Sequence, residues 1–200
     1  MKKPKSLHSG TADLRIKIIK TALSCFVENG FAATGIGDIC KKSDISVGSL
    51  YHHFKSKEQL AGAVYIEGIK NYQAGFTEGL NKYSLAKDGI FHIVKYHLHW
   101  ISESPDWAKF LLLYRQAEFM ADAEKIFESL NDDFNTSIGE WFRGQIKSGK
   151  IQKLPPDVYL SILMGPCQEF AHVYLFGKTI TDIEKAGDLI AANIWRALRI

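Results

Sequence analysis

Apolar residues recur at helical spacing along almost the whole chain, and nothing alternates at period two for long. Leu14, Ile18, Ala22 and Phe26 form one row, with Ile19, Leu23 and Val27 beside it. That double row predicts an amphipathic helix starting at Thr11 or Asp13. Asn29-Gly30 supplies its left-handed stop. Residues 1–10 read as disordered, either a solvated tail or a basic arm carrying Lys2, Lys3 and Lys5. Ile36, Ile39 and Cys40 then make the apolar face of a first short helix. Ser43-Asp44 break the pattern, since Asp tolerates the left-handed backbone of a tight turn. Ser46 is placed to cap a second short helix, on which Leu50 and Phe54, four apart, point inward. Val47, Gly48, Ser49, Tyr51, His52 and His53 are left on its other faces. From Ser56 a long helix follows, with Glu58 in its first turn and a broken stripe of Leu60, Val64 and Ile69. Gly62, Gly68, Gly75 and Gly79 in this helix predict close packing or bending.

Residues 81–88 read as a loop. Ile90–Ile101 is predicted helical, and Pro105 takes the favoured first-turn place of the next helix. A short helix is predicted at Asp122–Leu130 and another at Asp132–Lys147, ended by Ser148-Gly149-Lys150. Pro155-Pro156 opens an apolar helix, Val158–Phe176, interrupted at Gly165-Pro166 and stopped by Gly177. Thr181 with Glu184 reads as the capping box of a last helix. Its inner face is Ile183, Ala186, Leu189, Ile190, Asn193, Ile194 and Ala197. The expected fold is all-α, about nine helices and no sheet.

Charge changes this picture at one end only. The net charge of the 200 residues is +3, yet residues 1–60 hold ten Lys/Arg against five Asp/Glu, and the remainder is slightly acidic. A basic front suits a polyanion on one side of the molecule. Cys25, Cys40 and Cys167 are widely spaced in apolar contexts, which predicts buried free thiols rather than a disulfide framework or a metal site. No apolar run reaches the ~18 residues of a membrane span, and no signal-peptide pattern appears. A cytoplasmic protein without membrane contact is expected.

Residues 34–57 carry the chemistry. Thr34, Ile36, Asp38-Ile39, Ile45-Ser46, Gly48, Leu50-Tyr51, His53-Phe54 and Lys57-Glu58, followed by Leu60, stand at fixed spacing. With Arg15 and Gly30-Phe31 before them, these residues resemble the helix-turn-helix of the TetR family of transcriptional repressors. The resemblance covers roughly residues 12–65. Cys40 and Ser43 stand where the family usually has alanine, and Asp44 where it usually has glycine.

The resemblance implies a DNA-binding domain over residues 11–71, with the helix-turn-helix at about 34–54, and a helical ligand-binding and dimerisation domain over 72–200. It implies that Thr34, Tyr51, His53 and Lys57 hold phosphates, which position without reading sequence. Base readout falls to Val47, Gly48, Ser49 and His52; Ser46 reads as a cap or a contact. The implied partners are a palindromic double-stranded DNA operator, a second copy of the chain packed through the last two helices, and a small apolar or amphipathic effector that releases DNA. No cofactor and no metal are implied. Without the resemblance, the last two helices read equally as plain core or as a self-association face.

Trp100, Trp107, Phe110, Tyr114, Phe119, Trp141, Met164, Cys167, Phe170 and Tyr174 form an aromatic and sulfur-bearing set. It reads either as ordinary core or as an effector pocket between helices. Gln116, Gln168, Glu169 and His172 are the polar anchors such a pocket would draw on. An enzyme is disfavoured: His97 and His99 lie on nearly opposite helix faces, and no HExxH or paired-carboxylate motif accompanies them. A helical protein-interaction adaptor, or an activator without a small-molecule effector, is the remaining alternative.

Overall fold

The structure is a computed structural model. It describes residues 7–114, 117, 121 and 123–200. The basic-arm lysines 2, 3 and 5, and the candidates Gln116 and Phe119, lie outside the described residues.

Nine helices are present among the described residues: α1 (Leu7–Asn29), α2 (Ile36–Ser43), α3 (Val47–His53), α4 (Lys57–Leu80), α5 (Ala86–Glu103), α6 (Pro105–Leu113), α7 (Glu124–Lys147), α8 (Pro156–Leu175) and α9 (Ile183–Leu198). The all-α expectation holds. Among the described residues the one β-type feature is an isolated bridge between Ile151 and Arg199. No helix among the described residues is long and apolar enough to cross a membrane.

Two compact units divide the chain. The first comprises Met1–Gly68 and Lys109–Phe127, the second Ile69–Ala108 and Glu128–Ile200. A division in chain order at 71/72 has no place for the return of residues 109–127 to the first unit.

In the first unit, α1 contributes Ile18, Ile19, Ala22, Leu23, Cys25 and Phe26 to the core. Gly30, at φ 80°, ends it as expected, its N–H donating to the Phe26 carbonyl. Ile39, Cys40, Leu50, Phe54, Leu60 and Val64 complete this core from α2, α3 and α4.

In the second unit, α5 packs chiefly against α9 and also against α8. Ile90, Ile93, Val94, Leu98 and Ile101 meet Ala186, Ala191, Ile194 and Leu198 in the interior. Lys95 and Asp188 form an ion pair at 2.9 Å at the edge of this packing. Gly75 and Gly79 of α4 admit the rings of Tyr96 and His92, and Gly89 of α5 admits Trp141. Close packing, rather than bending, is what these α4 glycines serve.

Several boundaries differ from the sequence reading. α1 starts at Leu7, and the loop before α5 is shorter than 81–88. Residues 124–147 form one helix, because the polar stretch Asn131-Asp132-Asp133 lies on the helix surface instead of breaking it. α8 runs through Pro166, which is exposed, so the carbonyl it leaves unserved has water within reach. The cap of α9 is Asp182, whose carboxylate accepts from the Lys185 N–H at 2.9 Å, and not Thr181. On α9, Leu189, Asn193 and Ala197 face outward, while Gly187, Ala191 and Leu198 face in.

Candidate functional site

The α2–α3 pair of the first unit is built from local signals. The Asp38 carboxylate accepts from the Gly35 N–H at 2.9 Å, closing the start of α2 near its positive dipole end. Asp44 ends α2 in the left-handed region, φ 55° and ψ 53°. Its predecessor Ser43 is buried, and its hydroxyl is satisfied by donating to the Ile39 carbonyl at 2.6 Å. Ser46 caps α3, its oxygen accepting from the Ser49 N–H at 3.1 Å. Leu50 and Phe54 are sealed in the core and fix the roll of α3. What α3 presents outward is Val47, 48% exposed, Gly48, Tyr51, 43% exposed, and His52, with Ser49 and His53 half-buried. The His53 ring lies 6.3 Å from Phe54 and 5.5 Å from His52. The Tyr51 hydroxyl has no protein partner among the described residues.

Two residues assigned to phosphates are placed otherwise. Thr34 is 1% exposed, and its hydroxyl donates to the carbonyls of Gly30 (2.8 Å) and Cys25 (3.0 Å). These carbonyls lie in the last turns of α1 and in its stop, where Gly30 also accepts from the Thr34 N–H. Lys57 Nζ donates to the carbonyls of Phe31 (2.9 Å) and Thr34 (3.0 Å) and lies 4.5 Å from the centre of the Phe31 ring. Its ammonium closes the 31–34 turn instead of standing out on the surface. Lys42 is likewise engaged, bonded to Glu28 at 2.7 Å and to Ser24 at 2.8 Å. Lys42, and after it Ser24, hold the Glu28 carboxyl below the usual carboxylate range. Arg15 sits over the Phe54 ring, 5.0 Å from its centre. Among the described residues, Lys41 on α2 and Lys55 just after α3 are exposed cations.

The aromatic set is divided between the two units. Phe110 and Tyr114 belong to the first unit. There Phe110 is fully buried and stacked 5.8 Å from Phe26, and the Tyr114 hydroxyl accepts from the Phe31 N–H at 3.0 Å. Trp100, Trp107, Trp141, Met164, Cys167, Phe170 and Tyr174 lie in the second unit. Trp141 is spent on α5 and the loop before it: its ring covers Gly89, and its Nε1–H donates to the Tyr83 carbonyl at 2.8 Å. Cys167 is sealed, and burial pushes its thiol up to about 12. Met164, Phe170 and Tyr174 are half-buried along α8, and Trp107 is half-buried on α6. An open depression of about 460 Å³ is lined by Pro166, Glu169, Phe170, Val173 and residues 178–181, and so draws only Phe170 from the set.

The cluster that does form in the second unit is centred on Tyr72. Trp100, His97, Tyr96, Phe76 and Phe134 surround it at 5.3–6.3 Å between ring centres. Tyr72 meets His97 Nδ1 at 3.0 Å, Tyr96 donates to the Tyr72 carbonyl, and Trp100 donates to Asn71. Of these residues the sequence reading had singled out only Trp100 as lining a pocket. The pairs Tyr72/Phe76 and Tyr96/Trp100, each four apart on successive helices, were the available signal.

Comparison with known proteins bears on both units. Residues 18–64 match the family described as bacterial regulatory proteins, tetR family. The HTH-type transcriptional regulator UidR of Escherichia coli (strain K12) is 42% identical over 64 residues, 32% of this chain and 33% of that protein. The alignment with such curated relatives thus spans about a third of their length. A TetR family transcription regulator from Marinobacter aquaeolei VT8 has the same fold, with a TM-score of 0.77 at 19% identity, covering 96% of this chain and 99% of that one. The transcriptional regulator FadR from Bacillus subtilis, solved in complex with stearoyl-CoA, superposes with a TM-score of 0.78 at 17% identity, covering 90% and 96%. Residues 18–64 thus carry a tetR-family domain, and the chain shares its fold with solved TetR-family regulators.

Proposed function

We propose that this protein is a DNA-binding transcriptional regulator that grips a palindromic operator as a homodimer and lets go when a small apolar or amphipathic effector binds. The observation that carries the reading is α3: two sealed pegs, Leu50 and Phe54, hold a short helix whose outward face is Val47, Gly48, Tyr51 and His52. That face is small, capable of hydrogen bonding and without acid, as a major groove about 12 Å wide requires. Val47 suits a thymine methyl, His52 and Ser49 suit base edges, and Tyr51 and His53 suit phosphates. With Thr34 and Lys57 turned to the protein's own carbonyls, Lys41 and Lys55 take over the backbone charge.

Leu160 of α8, 61% exposed, Val158, and Leu189 of α9, 55% exposed, are apolar residues that a monomer leaves in water. A second copy covering them supports the dimer, and two α3 helices then address half-sites about 34–36 Å apart. The FadR structure, solved in complex with stearoyl-CoA, supports an effector on this fold.

Duplexes selected from a random pool, titrated by fluorescence anisotropy against scrambled controls, test the reading. Tyr51→Phe is expected to weaken all duplexes alike, and His52→Ala to change which sequences are preferred. Equal affinity for selected and scrambled duplexes at physiological salt would refute a specific regulator. Leu160→Glu is expected to shift sedimentation from dimer to monomer and to abolish operator binding with it.

A further inference from the structure

Arg15 of α1 has its place set by a ring and its charge unanswered. Its guanidinium carbon lies 5.0 Å from the centre of the Phe54 ring. A guanidinium over an aromatic ring uses its flat face there and leaves its N–H donors pointing outward. Arg15 is exposed, and none of those donors meets a carboxylate or carbonyl among the described residues. Other cations of the first unit differ. Lys42 is engaged by Glu28 and Ser24, and Lys57 by the carbonyls of Phe31 and Thr34. Lys41 and Lys55 are exposed, and no ring among the described residues holds either.

The platform beneath Arg15 is rigid. Phe54 is 1% exposed, and its N–H donates to the Leu50 carbonyl at 2.9 Å. The next residue, Lys55, donates its N–H to Gln59 Oε1 at 2.6 Å, and Ser56 Oγ accepts from the Gln59 N–H at 3.0 Å. The link from α3 to α4 is therefore tied on both sides of the ring. α3 itself is seven residues long. At 1.5 Å per residue that is about 10 Å, close to the width of a major groove, about 12 Å. With Val47 and Gly48 at the bases, a cation over Phe54 stands at the groove wall, where phosphates run.

We propose that Arg15 is a further DNA-contacting residue, which holds a backbone phosphate at the C-terminal end of α3. The inference rests on the regulator reading above and adds to it a contact from α1, a helix to which that reading gives none. The planar fork of a guanidinium matches two phosphate oxygens at once. A side chain already laid over a ring loses less freedom on binding than Lys41 or Lys55 would. A phosphate carries no sequence information, so the contact strengthens every duplex alike.

Duplex titrations of the full-length protein by fluorescence anisotropy, between about 50 and 200 mM salt, test the assignment. Arg15→Gln is expected to make the slope of log affinity against log salt shallower by about 0.9 for each protomer bound. Affinity falls with it by about eightfold per protomer at 0.1 M salt, equally for selected and scrambled duplexes. Arg15→Lys, which keeps the charge and loses the fork, is expected to restore the slope and only part of the affinity. Lys20→Gln, removing another exposed charge from α1, is expected to leave the slope near native. An unchanged slope in Arg15→Gln, even with weaker binding, would make Arg15 a structural tie between α1 and α3 and overturn the proposal. So would an altered sequence preference, an Arg15→Lys slope as shallow as that of Arg15→Gln, or an equal loss in Lys20→Gln. Native protein that binds no duplex at low salt refutes the regulator reading and this contact together, whereas a native slope kept by Arg15→Gln refutes the contact alone.

Discussion

Replacing Lys57 by methionine separates a structural lysine from a phosphate-binding one. Its ammonium serves two half-buried carbonyls, those of Phe31 and Thr34, at 2.9 and 3.0 Å. The third contact, to the exposed Ala32 carbonyl at 3.4 Å, counts for little. A hydrogen bond to a charged group contributes about 1.5–3 kcal/mol when both sides are desolvated. Lys57 is only half-buried, so about 1 kcal/mol for each of the two close bonds is the better figure. The Phe31 ring beneath the ammonium adds about 0.5 kcal/mol. Methionine keeps the apolar stem and removes the donors, so a loss of about 2–3 kcal/mol is expected. Urea unfolding followed by far-UV circular dichroism measures the total, and amide exchange at Phe31 and Thr34 locates it. The slope of log affinity for duplex against log salt should stay as it is. A lysine on a phosphate gives the opposite pattern, a slope smaller by about one with stability untouched. That pattern, with stability within about 0.5 kcal/mol of the native protein, would refute the structural assignment.

Other perturbations test separate parts of the structure. Gly89→Ala drives a methyl into the Trp141 ring, and since the ring is tied to the Tyr83 carbonyl it cannot swing aside; a loss of about 1–3 kcal/mol in urea unfolding is expected, partly recovered by adding Trp141→Ala. Ser46→Ala removes the α3 cap and should cost about 1 kcal/mol, with weaker binding to every duplex; unchanged melting would show that the Ser49 N–H finds water equally well. Burial lowers the His97 pKa to about 4 from its ordinary 6.5, so the unfolded chain binds the extra proton between those values. Stability is therefore full above pH 6.5 and falls as the pH drops toward 4, by about 2 kcal/mol at pH 5 from this group. Tyr72, Tyr96 and Cys167 stay neutral through that window, since burial raises all three. Urea midpoints at pH 7.5 and 5 should differ less in His97→Phe than in the native protein, and an identical difference would place the proton elsewhere.

Much of the α1–α3 region was legible in the sequence because its signals are short-range. The Gly30 stop, the left-handed Asp44, the Ser46 cap and the inward pair Leu50 and Phe54 each involve residues within four positions of one another. Helix-forming pattern plus cap chemistry decides such features wherever the segment is placed. The same holds for the all-α class and for Pro105 at the start of α6.

What the tertiary structure alone decided is which polar groups meet across distance. The Thr34 hydroxyl and Lys57 ammonium look like surface chemistry in the chain. Folding brings the first to the end of α1 and the second to carbonyls 23 and 26 residues away. Phe110 and Tyr114, alike in composition to Trp100, were drawn into the other unit, where Tyr114 serves an amide 83 residues distant. Tyr72 and His97, 25 residues apart, became partners only because α4 and α5 pack face to face through glycines. Periodicity tells which stripe of a helix is apolar. The hydrogen-bond partner of a side chain depends on helix packing, to which residues far along the chain contribute equally.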